Sequence, residues 1–97
     1  MKVRDITPAV IADYLRIPDP DENDLKELET YKSAALAFVS SYTGISLLRL
    51  NEFEDISIAV LVLCQDMYDS RSYYVDKTNV NKVVSTILDM HSRNLIC

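Results

Sequence analysis

The stretch FEDISIAVLVLCQDMY, residues 53–68, contains the longest apolar run of the chain. Such a run is compatible with a buried strand or with a helix that is covered on most sides. Asn51 and Glu54 have the spacing of an N-cap residue and its partner in a variant of the capping box, and polar residues follow the run. These flanks favour a helix over residues 52–68. We expect it to be the central helix, with Leu61 among the least exposed residues.

Apolar residues at helical spacing predict a helix on the N-terminal side of this stretch. Thr7 is a good N-cap residue, and Pro8 suits the first helical position because its φ is preset and no backbone donor is needed there. The expected buried stripe comprises Val10, Ile11, Tyr14 and Leu15. The next helix is the longest, from an acidic start at residues 21–24 to a stop at Gly44.

The fourth predicted helix lies on the C-terminal side and begins at Thr78 or Asn79. Its expected buried stripe comprises Val80, Val83, Val84, Ile87, Leu88 and His91. The segment ISLLRLN, residues 45–51, is a connector that is apolar enough to pack over the core. The sequence therefore predicts an all-α fold, a small bundle of four helices with a central apolar third helix, in a single helical domain over residues 1–97.

Composition and charge exclude several classes of function. The chain has 97 residues, of which 15 are acidic and 10 basic, and its net charge is −5. An acidic chain without a basic stripe is poorly suited to holding nucleic-acid phosphates. No apolar run approaches the roughly 20 residues that span a bilayer. The N-terminus lacks the apolar core of a signal peptide, so we expect a protein that has no membrane segment and is made in a cytoplasm.

The inventory of reactive residues does not point to catalysis, a cofactor or a metal. His91 is the only histidine, and its place on an apolar stripe favours a partly buried structural role over that of a catalytic base. Cys64 lies in the apolar run and is expected in the core. Residues 19–24, DPDEND, match alternate ligands of a calcium loop, but Asp24 and Thr30 occupy the places of its glycine and bidentate glutamate. A capped helix start explains this segment better, and we expect no enzyme activity.

The segment DMYDSRSYYVDKTNVNKVV, residues 66–84, is unusually rich in tyrosine and alternating charges. One interpretation is an ordered loop whose tyrosine rings cover the core while their hydroxyls face water. The other is a subunit interface, because tyrosine and arginine are enriched where proteins meet. Composition leaves both interpretations open. The candidate interface residues are Tyr68, Arg71, Tyr73 and Tyr74.

The order of several segments resembles a known family. The segments are ADYLRIPDPDENDLKELETYKSAALAFVSSYTG (12–44), AVLVLCQDMYDSRSYY (59–74) and VNKVVSTILDMHSRNLI (80–96). Together they resemble the head–tail connector proteins, also called adaptor, DNA-packaging or head-completion proteins, of long-tailed bacteriophages and prophages. The resemblance covers about residues 6 to 96. No single motif is diagnostic, whereas their order and spacing are more specific.

This resemblance implies a structural subunit of the virion. Family members are small helical proteins that form a ring, a dodecamer in the mature particle, beneath the portal protein at the capsid vertex. The ring extends the DNA channel and is a platform for a stopper or tail-completion protein. DNA would pass through without sequence-specific binding, which suits an acidic chain. The alternative is a small helical adaptor or regulatory module that binds a partner protein outside any virion.

The end of the chain, SRNLIC, residues 92–97, is apolar where a free helix end is normally polar. Apolar residues at a terminus either fold back on their own domain or bind a partner. In the family that the sequence resembles, the C-terminal part meets the portal. We therefore expect this tail to be poorly ordered in isolation, with a portal contact formed by Arg93, Leu95 and Ile96.

Overall fold

The computed structural model describes residues 2–70 and 82–96, without the side chains of residues 92–96. The described residues form an all-α bundle, in which no residue belongs to a strand. Two short 3-10 helices, Val3–Asp5 and Arg49–Glu52, accompany the α-helices. The four α-helices are α1 (Pro8–Tyr14), α2 (Glu22–Thr43), α3 (Glu54–Ser70) and α4 (Lys82–Ile96). The predicted fold class is confirmed, and the strand interpretation of the apolar run is excluded.

Local capping explains where α1 and α2 begin and where α2 ends. The Thr7 side chain accepts a hydrogen bond from the backbone N–H of Val10, at 3.2 Å, and Pro8 is the first helical residue. Asp21 and Asp24 form a reciprocal capping box at the start of α2. Gly44 ends α2 in the left-handed region, with φ of 75°. Each of these boundaries was predicted from the sequence.

The start of α3 differs from the prediction. Asn51 was expected to be its N-cap residue, but it lies inside the 3-10 helix Arg49–Glu52, and α3 begins only at Glu54. The side-chain amide of Asn51 donates instead to the backbone carbonyl of Leu48, at 3.5 Å. Leu50, which belongs to the same 3-10 helix, is fully buried in the core. The capping-box interpretation of Asn51 and Glu54 is therefore wrong.

The third helix holds the expected central position. It packs against α1, α2, α4 and the N-terminal 3-10 helix, and α2 has a similarly extensive set of neighbours. The buried residues of α3 are Ile56, Ser57, Ala59, Val60, Leu61, Leu63, Cys64 and Met67. One side nevertheless faces outward, since Ile58 is 52% exposed. Leu61 is buried, as predicted, although its neighbours Val60 and Leu63 are less exposed.

Two predicted stripes are partly wrong. Tyr14 is exposed in the last turn of α1, because the buried face is centred on Ile11 and Ala12. Val83 is exposed on α4, because the buried face of this helix is centred on Val84 and Leu88. Val83 and Val84 are consecutive residues, so their side chains are about 100° apart around the helix. The predicted start of α4 at residues 78–79 lies outside the described residues.

The connector also differs from the prediction. Ile45 and Leu50 are buried at its two ends, but Leu47 and Leu48 are 56% and 85% exposed. Ser46 accepts the backbone N–H groups of both Arg49 and Leu50, and these bonds hold the turn. A tight turn cannot direct four apolar side chains to the same side. The expectation that the whole connector packs over the core is wrong.

Candidate functional site

Tyr68 is the one candidate interface residue whose side chain the structure describes. It lies near the end of α3, is half-buried, and packs against the core. Its ring meets the fully buried ring of Tyr31 edge-on, with centroids 6.4 Å apart and an interplanar angle of 86°. This contact ties the beginning of the tyrosine-rich segment to α2. Arg71, Tyr73 and Tyr74 lie outside the described residues.

The candidate portal-contact residues lie at the end of α4. The helix continues to Ile96, so the backbone of residues 92–96 is helical where the sequence predicted a poorly ordered tail. The contacts of the Arg93, Leu95 and Ile96 side chains lie outside the described part of the structure.

His91 joins the last turns of α4 to the start of α3. Its Nε2 lies 2.9 and 3.0 Å from the two carboxylate oxygens of Asp55, so the proton on this nitrogen is donated to the carboxylate. The ring of Phe53 packs against the imidazole, with centroids 4.5 Å apart. The histidine is only 9% exposed. Its burial and its partner fit the structural role predicted from the sequence.

A second polar contact joins α4 to α2. The hydroxyl of Tyr42 donates to the carboxylate of Asp89, at 2.6 Å. This hydrogen bond, followed by burial and the negative charge of Asp89, raises the pKa of Tyr42. Together, His91 and Asp89 attach two sides of α4 to the rest of the bundle.

The buried thiol of Cys64 is poorly suited to nucleophilic chemistry. Desolvation raises its pKa from 9.0 to about 12, and the charge of Lys32 only partly opposes this shift. At neutral pH the group is therefore a neutral thiol inside the core.

The acidic segment before α2 is used in capping rather than in a metal site. The Asp21 and Asp24 carboxylates accept backbone N–H groups of the helix start, as the sequence indicated. Within residues 2–70 and 82–96, no group of three or more His, Cys, Asp or Glu side chains is placed to hold a metal ion.

The described surface carries large apolar side chains that sequence reasoning did not identify as sites. The most exposed of them is in the connector, where Leu47 and Leu48 project; we call these two residues the connector knob. Ile58 on α3, Val83 and Met90 on α4, and Tyr14 and Tyr42 are the other exposed large apolar residues of the described surface. The sequence signal that could have indicated these exposed residues is that the helices and the connector contain more apolar residues than one buried face can accommodate.

The surface also has an open apolar depression beside α1, with a volume of about 440 Å³. We call it the α1 depression. It is lined by Ala9, Val10, Ala12, Asp13, Ile17 and Pro20. Asp13 is its only charged lining residue, and it is exposed. Depressions of this size are large enough to receive small ligands or the side chains of a partner.

Comparison of the chain with models of known protein families, with curated proteins and with solved structures found no match. In the part of the chain that the structure describes, no helix has both the length and the apolar character needed to cross a bilayer.

Proposed function

We propose that this protein is a head–tail connector subunit of a long-tailed bacteriophage or prophage. In this role it forms a ring beneath the portal, extends the DNA channel, and offers a platform for the stopper or tail-completion protein. The role is structural rather than enzymatic, and its place of action is the head–tail interface of the virion. The proposal rests on the family resemblance of the sequence together with the surface of the bundle.

The observation that carries the proposal is the exposure of large apolar side chains on the described surface of a bundle with a buried core. Leu47 and Leu48, which are adjacent in the chain, are 56% and 85% exposed, whereas the core residues of α2, α3 and α4 include many at 0%. Apolar side chains that remain exposed together commonly mark interaction surfaces. A ring subunit needs such surfaces on two sides, because each copy contacts a neighbour on either hand.

The net charge of −5 supports a channel through which DNA slides. Affinity for DNA depends on lysine and arginine that neutralise phosphates, and salt-dependent binding grows with the number of such contacts. Basic residues are outnumbered 15 to 10 by acidic residues in this chain. A ring of acidic subunits would surround the duplex without holding it.

Two groups of residues are assigned to contacts in this proposal. Tyr68, fixed on α2 through Tyr31, begins a lateral contact that continues through Arg71, Tyr73 and Tyr74. Arg93, Leu95 and Ile96, at the end of α4, contact the portal.

Binding to the portal protein encoded in the same genome tests the proposal. We expect the wild-type protein to bind immobilised portal, and the double variant Leu95→Ser with Ile96→Ser to lose binding. Met90→Ser is the matched control, since it removes an exposed apolar side chain from the same helix. Melting temperatures of all three proteins show whether the fold is retained.

Absence of wild-type binding to the portal would contradict the proposal. The protein would then be better described as a small helical adaptor with a partner outside a virion. Genes for portal, capsid and tail-completion proteins beside its own would support the connector role independently.

A further inference from the structure

The connector knob is held in a fixed position. Ile45 and Leu50, on either side of it, are buried at 4% and 0% exposure. The backbone carbonyl of Ser46 accepts hydrogen bonds from the N–H groups of Arg49 and Leu50, at 3.0 and 3.2 Å. Leu48 thus projects from a hydrogen-bonded turn rather than from a free loop. A fixed apolar projection binds a partner with little loss of conformational entropy.

The α1 depression offers a surface that is complementary to this knob. Its lining is apolar except for Asp13. The residue next to the knob, Arg49, carries the opposite charge, and its side chain is 60% exposed. Arg49 is paired with Glu52 at 3.4 Å, but both side chains are largely exposed, and such surface pairs are weak. Arg49 can therefore turn towards a carboxylate on another molecule.

The knob does not occupy the depression of its own chain, since Leu47 and Leu48 are 56% and 85% exposed. Ile17 and Pro20 precede the N-terminus of α2, whereas Leu47 and Leu48 follow its C-terminus. The 22 residues of α2 span about 33 Å at the rise of an α-helix. Ile17 and Pro20 therefore lie towards the end of the longest helix opposite the knob, although the Val3–Asp5 helix, just before α1, contacts the Arg49–Glu52 helix beside the knob.

We propose that the connector knob of one copy of this chain docks into the α1 depression of a second copy, with Arg49 beside Asp13 of that copy. The two copies use different surfaces, so the pair as a whole keeps one knob and one depression free for further neighbours. Such a head-to-tail contact builds closed rings when its rotation closes and open filaments when it does not. The inference deepens the proposed connector function by naming a lateral contact, but the contact itself requires no portal.

Two complementary variants test the direction of the contact. Leu48→Ser removes the knob and leaves the depression intact, while Ala9→Lys obstructs the depression with a positive charge and leaves the knob intact. Both residues are exposed, so the fold should be retained, and thermal melting checks this. Ile58→Ser, on the exposed side of α3, is the control for the loss of an exposed apolar side chain.

Sedimentation velocity over a range of concentrations gives the result. We expect the wild type and Ile58→Ser to associate progressively, and each of the two variants alone to remain monomeric. An equimolar mixture of the two variants should form heterodimers and nothing larger, because only one knob and one depression are available. The dissociation constant should rise roughly tenfold or more for Leu48→Ser, as expected for the loss of a buried leucine.

The charge pair has its own test. Arg49→Asp and Asp13→Arg should each weaken association, and the two changes in one chain should restore it. A wild type that stays monomeric throughout, association that is insensitive to Leu48→Ser, or a mixture without heterodimers would overturn the inference. If portal binding persists in that case, the connector function survives without this contact. Head-to-tail association without portal binding would instead contradict the connector function alone.

Discussion

Cys64 shows how burial determines the chemistry of a single residue. The sequence placed it in an apolar run, and the structure finds it fully buried, with a pKa raised to about 12. We predict that a thiol reagent at neutral pH modifies Cys64 only after the protein unfolds. The measurement uses a Cys97→Ser background, so that Cys64 is the only thiol, with and without denaturant. Rapid modification of the native protein would contradict the buried position.

The same pKa shift predicts how stability changes at alkaline pH. The folded thiol holds its proton more tightly than the unfolded thiol, whose pKa is 9.0. The buried thiol therefore contributes its full share to the free energy of unfolding below about pH 9, and this contribution is lost as the pH rises through 12. Urea unfolding should therefore show a stability difference from Cys64→Ala that is constant below pH 9 and declines above it. A difference that does not change with pH would contradict this prediction.

The contact between His91 and Asp55 should contribute measurably to stability. Asp55→Ala leaves the buried imidazole without its carboxylate partner, and an unpaired buried polar group costs about 1–3 kcal/mol. We expect a loss of this size in the free energy of unfolding, measured with urea. Glu29→Ala, an exposed acidic residue on α2, is the control and should change stability by less than about 0.5 kcal/mol. Equal effects of the two substitutions would show that the pair is not important.

At the scale of single elements, α3 has one buried side and one exposed side. Leu63 is 1% exposed and Ile58 is 52% exposed, on the same helix. Leu63→Ala should cost about 2–5 kcal/mol, because a cavity remains in the core. Ile58→Ala should cost much less, since its side chain is largely in water already. Chemical denaturation of both variants measures the difference, and similar losses would contradict the orientation of α3.

Element boundaries were predictable wherever local chemistry decides them. Thr7, Asp21 and Gly44 act through hydrogen bonds or backbone angles within a few residues, and the sequence located all three. The start of α3 was not predictable in this way, because a buried Leu50 and a 3-10 helix displaced the expected cap. The exposure of Leu48 was likewise not predictable, because it depends on which apolar side chains of the connector the core has room to bury.

For the whole molecule, helical periodicity was sufficient to predict a four-helix fold, since each helix has an apolar side that must be covered. The candidate site could be predicted from the sequence only in part. Tyr68 packs on the core, as one of the two open interpretations of its segment expected, and its role in an interface remains a prediction. The connector knob and the α1 depression were missed, because a surface site depends on how distant parts of the chain are placed together.

The central claim is that many copies of this protein assemble into a ring on a portal. Electron microscopy of the purified protein mixed with its portal protein measures this most directly. We expect a dodecameric ring that is stacked on the portal and coaxial with its channel. Portal particles without added density, or density that lacks rotational symmetry, would contradict the claim.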